Sequence, residues 1–259
     1  GGIRIESNEI IIKESNGIKY MQFKRLLQYK NITHCYTLKE NLNFRGVSPI
    51  KQESIKSICN ELNLDSSKFI MAEQDHTKNI AIINNGNESL EDIDGLITNQ
   101  KGFVLASKSA DCTSLLMYDP EKNAIASVHS GWRGTAKKIA VETVNKMKET
   151  YGSKPENIIC CICPSIRKCH FEVDEDVKEL FENTFKYEGI IEKGRTDGEK
   201  QKYNIDTTKI NKQMLKDCGL KEENIVDCEL CTVCNNDKFH SYRADKPNYG
   251  LNVGIIALK

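Results

Sequence analysis

A chain of 259 residues can bury a substantial core. Its 37 basic and 37 acidic side chains cancel, which removes any global electrostatic reason to bind nucleic acid or an anionic membrane. Apolar runs such as IAII at 80–83 and the C-terminal IIALK are far too short to span a bilayer. No charged, apolar, small-residue leader opens the chain, and Gly1-Gly2 reads as a tag remnant. With no exposed apolar stripe evident, a cytoplasmic monomer acting on a small molecule is expected. The eleven cysteines are odd in number and the chain is long, so packed, reduced thiols are expected rather than a disulfide framework.

Strand-like and helix-like segments alternate from end to end. GIKYMQFK (17–24) predicts a strand. SPIKQESIKSICNEL (48–62) predicts a helix with Ile50, Ile55, Ile58, Cys59 and Leu62 apolar. FIMAEQDH (69–76) and NIAIINN (79–85) read as extended, as do GFVLASKSADCTSLLMYD (102–119) and NAIASVHS (123–130). The near-continuous apolar runs of the last two suit a sheet covered on both faces. In TAKKIAVETVNKMKETYG (135–152) the residues Ala136, Ile139, Ala140, Thr143, Val144 and Met147 form one helical face, and Gly152 stops the helix. Further helices are expected from about Asp174 (Val177, Leu180, Phe181) and from about Thr207 (Ile210, Met214, Leu215). EKGRTDGEKQK (192–202) reads as a surface loop. No linker or repeat divides the chain, so one mixed α/β (α+β) domain over residues 1–259 is the economical expectation.

Three side chains that bind metals stand at the ends or kinks of separate apolar runs: His76, Cys112 and His129. Such places are where sheet proteins converge side chains into a site, and one Cys with two His is the ligand set of a catalytic zinc. Nothing in the local spacing forces the three together. The turn Gly131-Trp132-Arg133-Gly134 joins a strand to a helix start, where unpaired N–H groups and an arginine suit an anion; a tight turn with a solvated arginine explains it equally well. His34 and His240 carry no assignment. Cys228-x2-Cys231-x2-Cys234 resembles the start of an iron–sulfur run, but Lys238 stands where the last cysteine belongs. Pairing Cys160 and Cys163 with Cys231 and Cys234 in a structural zinc site would need an unusual separation, so neither cluster nor second zinc is expected there. Cys169-His170 is a possible redox pair. No GxGxxG and no Walker P-loop is present.

SADCTSLLMYDP, AIASVHSGWRGTAKKI, CPSIRKCHFEV and FHSYRADKPNYGLNVGIIAL together resemble the YfiH/DUF152 family, which carries the labels laccase-domain polyphenol oxidase and purine nucleoside phosphorylase. The resemblance covers the chain from about residue 20 onward. It implies a mixed-sheet sandwich with packed helices, and zinc held by His76, Cys112 and His129, which also serve in catalysis. It implies phosphorolysis of purine nucleosides, methylthioadenosine included, and deamination of adenosine, with water activated by the zinc. Arg133 fits a phosphate contact and Arg243 a second anion or substrate contact, while Asp111 is placed to orient a ligand or shuttle a proton. The chain departs from the family pattern at Asp75 and Thr77, which flank His76, and at Cys163 in Cys163-Pro164-Ser165-Ile166, expected to remodel a pocket wall. Three other readings compete. A metal-free cysteine hydrolase would use Cys112 with His129 or His76, in the peptidoglycan-editing sense of another family label. A copper polyphenol oxidase needs more histidines than the five present. A non-enzymatic metal-binding module is the third.

Overall fold

The apolar runs sort into two six-stranded mixed sheets stacked face to face. The structure, a computed structural model, describes residues 8–47 and 49–259; Gly1, Gly2 and the Ser48 helix start lie outside them. One sheet has the order Ile10–Ser15, Ile18–Phe23, Ile32–Thr37, Asn252–Leu258, Val104–Ser109 and Phe69–Met71. The other runs Ile225–Asp227, Ile159–Ile162, Thr113–Asp119, Ala124–Ser130, Gly95–Thr98 and Ile80–Ile82. Neighbours are antiparallel except at three edge pairs, where Phe69–Met71, Ile225–Asp227 and Ile80–Ile82 run parallel to their partners.

Period-two alternation explains why these strands look apolar throughout. In Thr113–Asp119, Leu116 and Tyr118 face the space between the sheets with Tyr36, Leu105 and Ile256. Leu115 and Met117 face the other way, onto helix Ile139–Tyr151. On the far side of the first sheet, helix Pro49–Glu61 covers Val104, Ala106 and Ile255 with Ile55, Ile58 and Cys59. The result is four layers, helix, sheet, sheet and helix, with every central strand covered on both faces. Among the described residues there are seven α-helices, none long and apolar enough to cross a membrane.

Several expectations are corrected. The run 102–119 is not one extended segment: Val104–Ser109 belongs to the first sheet and Thr113–Asp119 to the second, with Ala110-Asp111-Cys112 crossing between them. The helix expected over 135–152 is two helices, Trp132–Ala136 and Ile139–Tyr151, separated by Lys138 in the left-handed conformation (φ 64°). The break has a packing cause. Trp132 and Ala136 pack in a satellite core around Phe181 and Ile205, whereas Ile139, Ala140, Val144 and Met147 pack on the second sheet. Gly152 ends the longer helix with φ 70° as expected. The expected loop 192–202 is part of a hairpin, Ile191–Asp197 with Lys200–Ile205, extended by Glu172–Val173 into a third, antiparallel sheet. Polar side chains on an exposed hairpin hide its extended period. Helix Thr207–Asp217 is capped by Asp206, whose carboxylate accepts from the Lys209 amide.

Two residues assigned to apolar helix faces stand outside: Ile50 is 57% exposed and Leu180 is 42% exposed. Phe181, its neighbour in helix Glu175–Thr184, is fully buried. Phe181→Ala is therefore expected to cost about 3–5 kcal/mol and Leu180→Ala less than about 0.5 kcal/mol. Urea-denaturation midpoints of the two variants check this, and equal losses would refute the placement.

Candidate active site

The antiparallel pairing of Thr113–Asp119 with Ala124–Ser130 brings together what seventeen residues of sequence separate. Thr113 lies opposite Ser130 and Ser114 opposite His129, so Cys112 and Gly131 emerge side by side at one end of the hairpin. Gly131 has room for no side chain: a Cβ there would meet His76 Nδ1 at 2.9 Å, Cys112 Sγ at 3.2 Å and His129 Cε1 at 3.4 Å. That single position thus touches all three candidate ligands.

His76 arrives from the first sheet's edge, and one residue that sequence reading missed puts it there. Asp94 is 2% exposed and stands just before strand Gly95–Thr98. Its carboxylate accepts the backbone N–H groups of Asp75 (3.2 Å), His76 (3.1 Å) and Thr77 (2.9 Å), and the Thr77 hydroxyl at 2.7 Å. The same carboxylate meets His129 Nδ1 at 2.7 Å, while the Asp94 carbonyl accepts the His129 amide. Burial by itself would raise the Asp94 carboxyl, but the bonds from His129 and Thr77 outweigh it and hold the group well below the usual carboxylate range. In His129 burial disfavours the charged ring; the Cys112 sulfur and Asp94 overcome this and push its pKa up to about 9. Burial, followed by the charge of His129, lowers that of His76. Nothing in the run Glu91-Asp92-Ile93-Asp94 distinguishes Asp94 from its acidic neighbours before folding.

These residues fit a metal ion. The ligand atoms of His76, Cys112 and His129 all lie within 4.8 Å of one another. His76 Nδ1 is buried without a hydrogen-bond partner, aimed at the Gly131 gap. Asp94 occupies Nδ1 of His129 while the ring also hydrogen-bonds the Cys112 sulfur, the carboxylate–histidine arrangement that orients metal-bound imidazoles.

The three face a cleft of about 740 Å³ lined also by Asp111, Arg133, Phe171, Glu172 and Arg243. A cleft of this size suits a small-molecule ligand. Asp111 is buried with φ 88°, and both carboxylate oxygens are engaged: one accepts the Thr232 hydroxyl at 2.7 Å, the other the Arg243 amide at 2.6 Å. This geometry makes Asp111 a holder of the Cys112 crossing. The Arg243 guanidinium donates to the His170 and Glu172 carbonyls. Arg133 is exposed and lies over the Trp132 ring at 4.1 Å. Because its helix is a single short turn, the guanidinium rather than an extended helix dipole is the cationic feature at that rim.

Other expected positions fall elsewhere. Asp75 is exposed beside His76, and Cys163 is fully buried between the sheets, so it does not form the pocket wall. His34 Nε2 accepts from the Phe23 amide, and His240 Nε2 bonds the Leu42 carbonyl, so both are engaged structurally. Cys160 and Cys163 lie in two different cores, away from Cys231 and Cys234, which instead meet Cys169 and His170.

Residues 50–259 match the model of a family described as multi-copper polyphenol oxidoreductase laccase. The chain belongs to that family. Among its relatives, the purine nucleoside phosphorylase LACC1 of Homo sapiens is 31% identical over 219 residues, covering 83% of this chain and 49% of LACC1. The chain thus spans about half the length of the mammalian family members it matches. The adenosine deaminase RL5, from an unknown prokaryotic organism, is 29% identical over 208 residues, 76% of either chain. The crystal structure of the Bacillus licheniformis hypothetical protein YfiH shares the fold, with TM-score 0.84 over 96% of this chain and 99% of that one at 24% identity.

Replacing the carboxylate that orients a metal-bound histidine weakens metal binding by roughly 10–100-fold. Asp94→Asn is expected to do so at the His76 site, and a competition titration against a chelator measures it. Unchanged affinity would remove Asp94 from its supporting role.

Proposed function

We propose that the chain, working as one catalytic domain, is a zinc-dependent purine nucleoside phosphorylase that also cleaves methylthioadenosine and deaminates adenosine. The observation carrying this reading is the convergence of His76, Cys112 and His129 at a small-molecule cleft with Arg133 at its rim. The names of the relatives support it. His76, Cys112 and His129 hold the zinc, which when bound supplies Lewis-acid activation of water for deamination. Asp94 keeps the His129 ring turned so that Nε2 faces the site. Asp111 positions Cys112 through its bonds to Thr232 and Arg243.

In phosphorolysis the C1′–N9 bond breaks, a phosphate oxygen bonds to C1′, and the base leaves with a proton. Arg133 steadies the phosphate, and the cleft wall around Phe171 and Arg243 orients the nucleoside. In deamination water replaces the exocyclic amine at C6 and ammonia leaves. The family's copper label finds little support in the side chains, since His34 and His240 are tied into structural hydrogen bonds.

One observation favours a second reading. Cys112, His129 and Asp94 follow each other as nucleophile, base and orienting carboxylate, with the last pair at 2.7 Å. A metal-free cysteine hydrolase editing peptidoglycan precursors would use this order. The two readings part on metal content: Cys112→Ser removes one equivalent of zinc under the first and none under the second.

Losing a charged donor to a bound anion costs about 1.5–3 kcal/mol, roughly 10–150-fold in affinity. Arg133→Ala is expected to raise the phosphate KM by that factor, with zinc content unchanged and deamination less affected. Free base appearing equally fast without phosphate would sink the phosphorylase reading, and equal loss of both activities would sink the role of Arg133.

A further inference from the structure

A second group of ligating side chains lies outside the catalytic set. Cys169 and His170 sit on the loop between the second sheet and strand Glu172–Val173, and Cys231 and Cys234 on the turn after strand Ile225–Asp227. Cys169 Sγ is 3.7 Å from Cys234 Sγ. His170 Nδ1 lies 3.2 Å from Cys169 Sγ, 3.5 Å from Cys234 Sγ and 3.8 Å from Cys231 Sγ. All four ligand atoms fall within 4.8 Å of one another. A tetrahedral zinc, with Zn–S near 2.3 Å and Zn–N near 2.0–2.1 Å, sets its ligands at about 3.8 Å for sulfur–sulfur and about 3.5 Å for sulfur–nitrogen. The side chains already stand at that spacing.

We propose that Cys169, His170, Cys231 and Cys234 bind a structural zinc ion, distinct from the ion assigned to His76, Cys112 and His129. Four protein ligands close the coordination sphere, which is the mark of a structural rather than a catalytic zinc. An iron–sulfur cluster does not fit, because the sulfurs converge on a single point and a histidine takes the fourth place. Nor do Cys169 and Cys234 form a disulfide: 3.7 Å is far beyond the bonded separation of about 2.05 Å.

The ion would clamp two segments that shape the cleft. Thr232, inside the Cys231–Cys234 turn, holds the Asp111 carboxylate beside Cys112. The Cys169–His170 loop leads directly into Phe171 and Glu172 of the cleft wall, and Arg243 grips its His170 carbonyl. Arg167, bonded to Asp227 at 2.8 Å, already ties the same two segments from beneath. Sequence spacing concealed the set because Cys169-His170 and Cys231-x2-Cys234 are separated by sixty intervening residues and meet through folding, where a parallel bridge joins Ser165 to Cys231.

The test counts zinc per chain by elemental analysis in protein purified without chelator. Two equivalents are expected in the wild type, one in Cys234→Ser, one in Cys112→Ser and none in the double variant. In the Cys112→Ser background, titration with Co²⁺ should develop the intense visible absorption of tetrahedral thiolate coordination, and Cys234→Ser should abolish it. His170→Cys, which offers a fourth thiolate, should retain the ion and guards against a loss caused by misfolding. The proposal is overturned if Cys234→Ser keeps every zinc of the wild type, if the bound metal is iron, or if intact mass reveals a Cys169–Cys234 disulfide in place of metal. The two sites are counted separately, so a Cys112→Ser protein with undiminished zinc would sink the catalytic assignment and leave this one standing.

Discussion

The Asp94 carboxylate is the constraint on which the site is built. A buried charge is tolerated only when its lone pairs are filled, and here three backbone amides, a hydroxyl and an imidazole fill them. Satisfying one group therefore shapes two segments at once. It curls residues 75–77 into a turn that holds His76 at φ 57°, a conformation a non-glycine residue rarely adopts without outside support. It also turns the His129 ring so that its second nitrogen faces Cys112.

The remaining geometry comes from the two sheets. The chain passes from one to the other at Ala110-Asp111-Cys112, and the crossing is held at both ends. Ser107 and Ser127 bond each other across the interface and Ser127 reaches the Gly254 carbonyl. Asp111, left-handed at φ 88°, is fastened to Thr232 and Arg243 from the opposite side of the cleft. The crossing thus presents Cys112 from a framework with little freedom, as a site that must hold its ligands in place requires.

The same layered burial separates cysteines packed in the cores from those nearer the surface. Cys35, Cys161 and Cys163 are fully buried, and desolvation pushes their thiols well above the ordinary range. Cys59 and Cys228 rise to about 11 and about 12 for the same leading reason. These thiols behave as small apolar side chains. Cys112, Cys169 and Cys234 stand nearer the surface, beside histidines, although partial burial and the neighbouring sulfurs still push the Cys169 thiol up to about 12.

Local pattern alone determined the two-sided burial of strands 113–119 and 124–130, the apolar face of helix Ile139–Tyr151 and its stop at Gly152, because hydrophobic period and glycine conformation are short-range properties. His76, Cys112 and His129 were legible as candidates because each closes or interrupts an apolar run. Only the tertiary structure decided that they meet, that Asp94 rather than another acid supports them, and that Cys169 and His170 complete the pair Cys231 and Cys234. It also decided the break at Lys138, where one helical pattern has to serve two separate cores. Each of these outcomes depends on contacts between segments distant in sequence, set by strand register and by the filling of buried polar groups. No local period carries that information.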